Sequence, residues 1–170
     1  MKNEHSFSLI EIVIIVMIVG IVSSLTLASY NNFTETNKLE ADANKLFDRL
    51  ELSRKKSTAG DIPDTDTCLA FNGYGIVFDN SLTSYKLQLC CDSLCLDTNN
   101  QDLISVQLQT NNIFTIYSNI RFAPLTGQRH HPEDDYTDRT ITIKNTIVNQ
   151  CISISISYLG VIEKQAKTSC

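Results

Sequence analysis

The stretch FSLIEIVIIVMIVGIVSSLTLASY, residues 7–30, decides how the rest of this chain is interpreted. It contains one charged residue, Glu11, and the nineteen residues from Ile12 to Tyr30 carry no charge. A helix over residues 7–30 would be about 36 Å long, which is enough to cross a hydrocarbon core of about 30 Å. The stretch therefore predicts a transmembrane helix. A carboxylate within such a helix costs roughly 2.5–3.5 kcal/mol on insertion scales, so Glu11 needs an explanation.

Two ordinary explanations account for the apolar stretch only in part. A cleaved secretory signal peptide needs a basic start, a shorter apolar core and a cleavage site of small residues. The opening segment MKNEHS has a single lysine, and Thr26-x-Ala28 is a poor cleavage site. A plain single-span anchor explains everything except Glu11, which would then have to snorkel to the membrane interface or become protonated.

A third explanation accounts for Glu11 together with its neighbours. The motif FSLIE, Phe7 to Glu11, resembles the class III signal of type IV pilins and type II secretion pseudopilins, whose usual form is G-F-T-L-I-E. The short polar leader, residues 1–6, and the uninterrupted apolar stretch add to this resemblance. It implies that a membrane aspartyl protease, the prepilin peptidase, cuts between Ser6 and Phe7 and N-methylates Phe7. The chain departs from the family pattern by having Ser6 instead of glycine and no proline before Pro63.

The resemblance also implies that Glu11 is the assembly residue. Cleavage would create an ammonium group at Phe7, and a neighbouring subunit in a filament could pair such a group with Glu11. A buried pair of this kind sets the register of subunits, because removing one partner costs about 3–5 kcal/mol. The implied partners are the prepilin peptidase, other pilin or pseudopilin subunits and an inner-membrane assembly platform. The implied location is the cytoplasmic membrane, with the C-terminal domain outside the cytoplasm, and then a cell-surface or periplasmic filament.

Helical periodicity continues beyond Tyr30. Apolar residues recur at helical spacing, and charged residues such as Asp42 lie between them. This pattern predicts an amphipathic helix with one apolar stripe. The stripe consists of Leu39, Ala43, Leu46, Phe47 and Leu50. We expect the helix to end near Gly60, which can form its C-cap, because Pro63 prevents continuation. The predicted organisation is a leader (1–6), a transmembrane or filament-core segment (7–30), an amphipathic continuation (31–57) and a β-rich extracytoplasmic domain (58–170).

The remainder of the chain has the short apolar and alternating runs that are typical of strands. These runs lie at 68–71, 74–79, 84–90, 103–109, 112–118, 119–123, 139–145 and 150–164. The strict Ile-Ser alternation at 152–156 predicts one buried face, and Gly160 breaks the last run into a hairpin. The fold class is therefore α+β, with a long N-terminal helix packed on an antiparallel β-sheet domain. Residues 73–79, 122–128 and 151–164 resemble the H-type pseudopilin and FimT-type minor pilin branch, which implies a type IV pilin-like fold.

The net charge of −5 provides no general attraction to nucleic acid or anionic lipid.

The number of cysteines favours a domain outside the cytoplasm. An even number of cysteines behind a membrane signal favours disulfides in an oxidising compartment. The cysteines are Cys68, Cys90, Cys91, Cys95, Cys151 and Cys170. Many pairings are possible, but adjacent Cys90 and Cys91 are not expected to pair with each other because neighbouring strand side chains point to opposite faces.

The most polar stretch, GQRHHPEDDYTD at 127–138, suggests two kinds of metal site. Zinc could combine Cys91 and Cys95 with His130 and His131, although this spacing is loose. Calcium would need about six to eight converging oxygens. The acidic candidates are Glu133, Asp134, Asp135 and Asp138. A solvated loop is the simpler interpretation, so we expect neither a metal nor a cofactor.

A DNA-binding function is the main alternative within the same class. Some FimT-type minor pilins bind DNA through arginines in a C-terminal loop, and Arg121 and Arg129 are the nearest equivalents here. The carboxylates at 133–135 oppose phosphate binding, so nucleic acid is not the expected partner. A membrane-anchored binding domain that never polymerises is the alternative from another class. The chain contains no P-loop and no nucleophile elbow, so we expect a structural subunit rather than an enzyme.

Overall fold

The computed structural model describes residues 8–61, 71–91, 101–130 and 137–170. One long helix, α1 (Leu9–Ala59), precedes all the strands. The described strands are β1 (Tyr74–Phe78), β2 (Ser84–Leu89), β3 (Gln101–Gln107), β4 (Asn112–Ile116), β5 (Ile120–Phe122), β6 (Arg129–His130), β7 (Arg139–Asn145), β8 (Gln150–Ile156), β9 (Ile162–Lys164) and β10 (Thr168–Ser169). The predicted α+β class is confirmed.

The ends of α1 follow from local chemistry. Ser8 is the N-cap residue and has an extended backbone, with φ −71° and ψ 144°. Gly60 is the C-cap residue, and its φ of 63° is in the left-handed region that glycine adopts without strain. Its N–H donates to the carbonyl of Ser57 at 3.2 Å. The predicted end of the helix at Gly60 is thus confirmed. Among the residues that the structure describes, no helix has an apolar segment long enough to cross a membrane.

The second half of α1 packs its apolar stripe against the β domain. Four of the five predicted residues are fully buried, whereas Phe47 is partly buried. The buried stripe continues to the helix end as Leu39, Ala43, Leu46, Leu50, Ser53 and Ser57. Asp42 is also buried, which corrects its expected place among the exposed charged residues. It lies three residues after Leu39 and four before Leu46, so the helical period puts it on the packed side.

The β domain contains two antiparallel sheets rather than one. The first has the order β3-β2-β1-β5-β6, and the second has the order β10-β8-β7-β4, with β9 also paired to β8. The sequence did not indicate this division, because the pairings β1–β5 and β4–β7 join distant segments. Strands β6 and β10 have two residues each and show no periodicity that could predict them. Most of the predicted strand at 68–71 falls outside the described residues.

Both sheets meet α1 in one hydrophobic core. The Ile-Ser alternation in β8 gives the predicted buried face, since its three isoleucines are buried. An aromatic cluster fills the space beside them, and Phe78 and Phe114 have ring centroids 4.8 Å apart. Tyr85 lies against Phe114 at 6.0 Å between centroids. Burial of these side chains supplies the main driving force that holds the helix on the domain.

The contacts with α1 define two ends of the β domain. At the proximal end, the turns before β4 and β8 lie near the part of the helix that contains Glu35 and Asp42. The turn before β2 lies beside them, because the carbonyl of Leu82 accepts a hydrogen bond from the N–H of Phe114 on β4. At the distal end, the loop 123–128 lies against the last helical turn, where the N–H of Leu125 donates to the carbonyl of Ser57 at 3.0 Å. Asp42 and Ser57 are about 22 Å apart along a helix that rises 1.5 Å per residue.

Candidate functional site

The first part of α1, from Leu9 to Val22, exposes an apolar surface. The large apolar side chains from Leu9 to Val22 are 49–83% exposed. Tyr30 and Phe33, nearer to the proximal end of the domain, are also exposed. Folded monomers rarely leave so large an apolar surface in water. This part of the helix is therefore suited to being covered by lipid or by another protein chain.

Glu11 lies on the first turn of this exposed helix. One oxygen of its carboxylate, Oε2, accepts a hydrogen bond from the backbone N–H of Ser8 at 2.9 Å. A negative charge at this position also interacts favourably with the positive end of the helix dipole. Within the described part of the chain, no hydrogen bond reaches the second oxygen, Oε1. Ser6 and Phe7, the predicted cleavage pair, lie outside the described residues.

A polar network that the sequence did not reveal holds α1 at the proximal end. Glu35 accepts a hydrogen bond from Lys38 Nζ at 2.6 Å and another from Asn145 Nδ2 at 2.9 Å. These two bonds lower the pKa of Glu35 to about 2. Asn111 Nδ2 also donates to this carboxylate, at 3.3 Å. The network thus joins the helix to the turns before β4 and β8.

Asp42 extends the same network into the buried interface. Its carboxylate accepts hydrogen bonds from the backbone N–H of Gln109 at 2.7 Å and from Asn112 Nδ2 at 2.8 Å. Asn145 Nδ2 donates to Asn112 Oδ1 at 2.8 Å, which links Asp42 to the Glu35 group. The position of Asp42 in the helical period was the sequence signal that could have placed it on the buried face of α1. Because a buried carboxylate must be satisfied, these bonds fix the rotation of α1 on the domain.

The C-terminal segment is attached to both β8 and α1. Cys151 and Cys170 form a disulfide with Cα atoms 5.5 Å apart, which confirms the predicted use of cysteines in disulfides for this pair. Lys167 forms a salt bridge with Glu40 of the helix at 3.1 Å, and Lys164 Nζ donates to Asn44. The segment therefore braces the proximal part of the helix from the second sheet.

The remaining cysteines bear on the zinc alternative. Cys90 and Cys91 are both disulfide-bonded, so Cys91 has no free thiolate to offer a metal ion. Cys68, Cys95 and His131 lie outside the described residues, as do the acidic candidates at 133–135. Asp138 is exposed. The described ranges contain no group of three or more His, Cys, Asp or Glu side chains that could hold a metal ion.

The two arginines considered for DNA binding are buried within the β domain. Arg121 is 5% exposed and Arg129 is 2% exposed. Arg121 Nη1 donates to the carbonyl of Asn72 at 2.6 Å, and Arg129 Nη2 donates to the carbonyl of Thr137 at 2.5 Å. Both guanidinium groups thus hold backbone segments inside the domain, where they cannot reach a nucleic-acid phosphate in this conformation.

The fold has a counterpart among solved structures. The minor pseudopilin EpsH from the Type 2 Secretion System of Vibrio cholerae matches 76% of this chain and 97% of its own chain, with a TM-score of 0.52 and 13% sequence identity. No protein-family model matches the chain. No curated protein sequence matches it either. The structural similarity shows that the chain shares the fold of a minor pseudopilin, in agreement with the predicted pilin-like architecture.

Proposed function

We propose that this chain is a pilin-like structural subunit, a minor pilin or pseudopilin, that assembles through its N-terminal helix into a type IV pilus or a type II secretion pseudopilus. The division of α1 carries this proposal. Residues beyond Leu39 pack on the β domain, whereas the apolar side chains from Leu9 to Val22 remain exposed. The fold shared with a minor pseudopilin supports the same role.

Membrane insertion and processing complete the proposal. The nineteen uncharged residues after Glu11 support insertion of the precursor in the cytoplasmic membrane, with the β domain outside the cytoplasm. Prepilin peptidase then cuts between Ser6 and Phe7 and methylates Phe7. The motif FSLIE supports this step, since it places Glu11 four residues after the new terminus. The platform protein and the other subunits follow as partners from the same pathway.

Glu11 is the proposed assembly residue. Its carboxylate already accepts the Ser8 N–H, while Oε1 is available to a further donor within the described structure. The ammonium group of a processed terminus is such a donor, and charge-assisted hydrogen bonds are roughly twice as strong as neutral ones. In the water-poor centre of a filament, this pairing would select one axial position for each incoming subunit.

The intact mass and N-terminal sequence of the protein from its native membrane test the processing step. We expect the mature chain to begin at methylated Phe7. A chain that begins at Met1 would support a plain anchored domain, and one that begins near Ser29 would support secretion. Either of these results would contradict the filament proposal.

Replacement of Glu11 tests the assembly step. In a Glu11→Gln variant, the amide oxygen can still accept the Ser8 N–H, so the helix should begin normally. We expect normal processing at Phe7 but a loss of at least about tenfold from the sheared filament fraction, since an unpaired buried charge remains on the neighbouring subunit. Glu51→Gln, in the second half of α1, is the matched control and should assemble normally. Normal assembly of the Glu11 variant would rule out this role.

The DNA-binding alternative has a separate test. It requires a salt-dependent shift of DNA mobility that disappears in an Arg129→Ala variant. The burial of Arg129 does not favour this alternative.

A further inference from the structure

The turn between β7 and β8, residues 146–149, lies beyond the point where this hairpin is attached to α1. The two strand ends that flank the turn, Asn145 and Gln150, are partners in the register of the sheet. Asn145 Nδ2 donates to the carboxylate of Glu35 at 2.9 Å, and the hydroxyl group of Thr36 donates to Gln150 Oε1 at 3.2 Å. The end of the hairpin is therefore bonded to the helix at residues 35–36.

From this point, β8 runs in the same direction as α1. Gln150, at the start of β8, lies beside Thr36, whereas a Cβ at Gly160, after the end of β8, would lie 3.6 Å from Arg54 Nε. Thr36 and Arg54 are about 27 Å apart along a helix that rises 1.5 Å per residue. Because β8 leads away from the N-terminal part of α1, the turn that precedes β8 projects towards that part. The tip of the turn thus lies at the level of the helical residues just before Glu35.

The turn has an exposed apolar side chain and no charged residue. Its sequence is Thr-Ile-Val-Asn, and Ile147 is 60% exposed. The N–H of Thr146 donates to the carbonyl of Asn111 at 2.9 Å. The N–H groups of Ile147 and Val148 donate to Asn145 Oδ1 at 3.0 and 3.2 Å. A segment whose backbone donors are already paired within the protein can enter a water-poor environment at low cost.

Exposed aromatic residues lie at the same level of α1. Tyr30 is 67% exposed and Phe33 is 64% exposed. A groove of about 420 Å³ opens beside them, and its lining is uncharged except for Lys38. The ammonium group of Lys38 is paired with the carboxylate of Glu35 at 2.6 Å. The proximal end of the domain therefore presents aromatic and apolar side chains next to a charge that is already neutralised.

The spacing of charged residues in the sequence indicates where a membrane would meet this end of the domain. Glu35 is the first charged residue after Glu11. Tyr30 lies about 28 Å beyond Glu11 along the helix, which is close to the hydrocarbon thickness of about 30 Å. Tyrosine is enriched at the membrane–water interface, because its ring is apolar and its hydroxyl group is polar. When residues 12–29 occupy the hydrocarbon core, Tyr30, Phe33 and the tip of the β7–β8 turn reach the interface together.

We infer that the turn 146–149 of the β domain lies in the interface of the lipid bilayer, beside Tyr30 and Phe33 of α1. The β domain thus binds the lipid surface directly, through Ile147. Because the hairpin is bonded to the helix at Glu35, this contact also limits the tilt of the helix in the bilayer. The inference rests on the proposed membrane insertion of the chain and adds a lipid contact that the apolar helix does not supply.

Fluorescence quenching by brominated lipid tests the contact in the full-length chain. The chain contains no tryptophan, so Ile147→Trp introduces a single indole ring at the turn. In phosphatidylcholine vesicles with bromine in the upper part of the acyl chain, we expect its emission to fall by about twofold or more, because indole rings reside at this depth. Leu159→Trp, at the distal end, is the matched control, since Leu159 is 63% exposed and precedes Gly160. Its emission should be the same in brominated and unbrominated vesicles.

Iodide in the aqueous phase provides the complementary measurement. It should quench Leu159→Trp more strongly than Ile147→Trp, because lipid shields the ring at position 147. Equal quenching of the two variants by iodide would overturn the inference. Protection of position 147 from both iodide and bromine would show that another protein chain covers the turn, and this result would also overturn the inference. Both side chains are exposed, so neither substitution should change the thermal unfolding temperature greatly.

A third variant distinguishes failure of the contact from failure of the proposed function. Val19→Trp, between Glu11 and Tyr30, reports insertion of the helix through quenching by lipid with bromine near the end of the acyl chain. Quenching at position 19 without quenching at position 147 would leave membrane insertion in place and overturn the contact of the turn. Quenching at position 147 alone would keep the contact and contradict the proposed insertion. The absence of quenching at both positions would contradict both.

Discussion

At the residue scale, Gly73, which precedes β1, lies unusually close to the backbone of a neighbouring strand. Its φ is 103°, and a Cβ at this position would lie 2.0 Å from the carbonyl oxygen of Phe122. That oxygen belongs to the backbone of β5, which pairs with β1 and cannot move without breaking the sheet. Glycine is required here both for the backbone conformation and for the close approach of two strands.

Replacement of Gly73 by alanine should therefore be strongly destabilising. We expect the free energy of unfolding to fall by about 3 kcal/mol or more, from the combined effects of strain and displaced backbone. Chemical denaturation followed by circular dichroism measures this change. Gly20→Ala is the matched control, because nothing lies within 4 Å of a Cβ there. It should leave the helix unchanged or stabilise it by up to about 1 kcal/mol. Equal effects of the two substitutions would contradict this interpretation.

The ionisation of Glu35 makes the stability of the folded domain depend on pH. Its pKa is about 2 in the folded chain, below its ordinary value of 4.5, because Lys38 and Asn145 donate hydrogen bonds to the carboxylate. A lowered pKa means that the unfolded chain binds the proton more readily. The stabilising contribution of Glu35 is therefore complete above about pH 4.5 and is lost as the pH falls towards 2.

A Glu35→Gln variant tests this linkage. The difference in unfolding temperature between the original chain and the variant should be largest near neutral pH and should shrink between about pH 4.5 and pH 2. Glu163→Gln, an exposed carboxylate on β9, controls for the general effect of removing one negative charge. A difference that stays constant over this pH range would show that Glu35 does not act through its ionised form.

At the scale of elements, the two halves of the continuous helix α1 have different surroundings. The large apolar side chains of its first part, from Leu9 to Val22, are exposed, whereas its second half is attached by an apolar stripe and by the network of Glu35 and Asp42. The stripe supplies burial but tolerates small rotations of the helix, because apolar contacts are not directional. The hydrogen bonds of Asp42 have defined geometry, so they determine the orientation in which the first half leaves the domain.

Asp42→Ala should weaken this attachment. The backbone N–H of Gln109 and the amide of Asn112 would lose a buried acceptor, so we expect a loss of about 2–4 kcal/mol in the free energy of unfolding. A double-mutant cycle with Asn112→Ala should show a coupling energy of about 1 kcal/mol or more. Asp48→Ala, on the exposed side of α1, is the control and should change stability by under about 0.5 kcal/mol. Independent effects of Asp42 and Asn112 would contradict the network.

At the scale of the whole molecule, the exposed half of the helix and the β domain should be separable. Among the described residues of α1, Glu35 is the first that accepts hydrogen bonds from the β domain, and Leu39 is the first buried apolar residue. A chain that begins at Ser29 should therefore keep its stability within about 1 kcal/mol of the full chain, as substitutions away from packed regions do. Detergent-matched thermal unfolding compares the two.

A longer truncation provides the contrast. A chain that begins at Asn44 lacks Glu35, Leu39 and Asp42, and so loses the whole proximal attachment. It should fail to unfold cooperatively, since the second sheet then exposes part of the core. Similar stability of both truncated chains would contradict the assignment of the proximal network as the anchor of the helix.

The sequence alone determined the features that depend on neighbouring residues. The helix, its end at Gly60 and its buried stripe follow from periodicity and capping within a few residues, and the buried face of β8 follows from strict alternation. The motif around Glu11 is likewise local, and it led to the same fold class that the structure shows. These properties can be read from a sequence because the interactions that produce them span one or two turns of chain.

Tertiary structure decided whatever depends on distant partners. Asp42 and Asn112 are 70 residues apart, and Glu35 and Asn145 are 110 residues apart, yet their hydrogen bonds attach the helix to the domain. The division into two sheets, the pairing of Cys151 with Cys170 and the burial of Arg121 and Arg129 have the same origin. Folding brings these groups together because the apolar stripe of α1 must be covered. Only then does a charged residue in that stripe find the donors that make its burial possible.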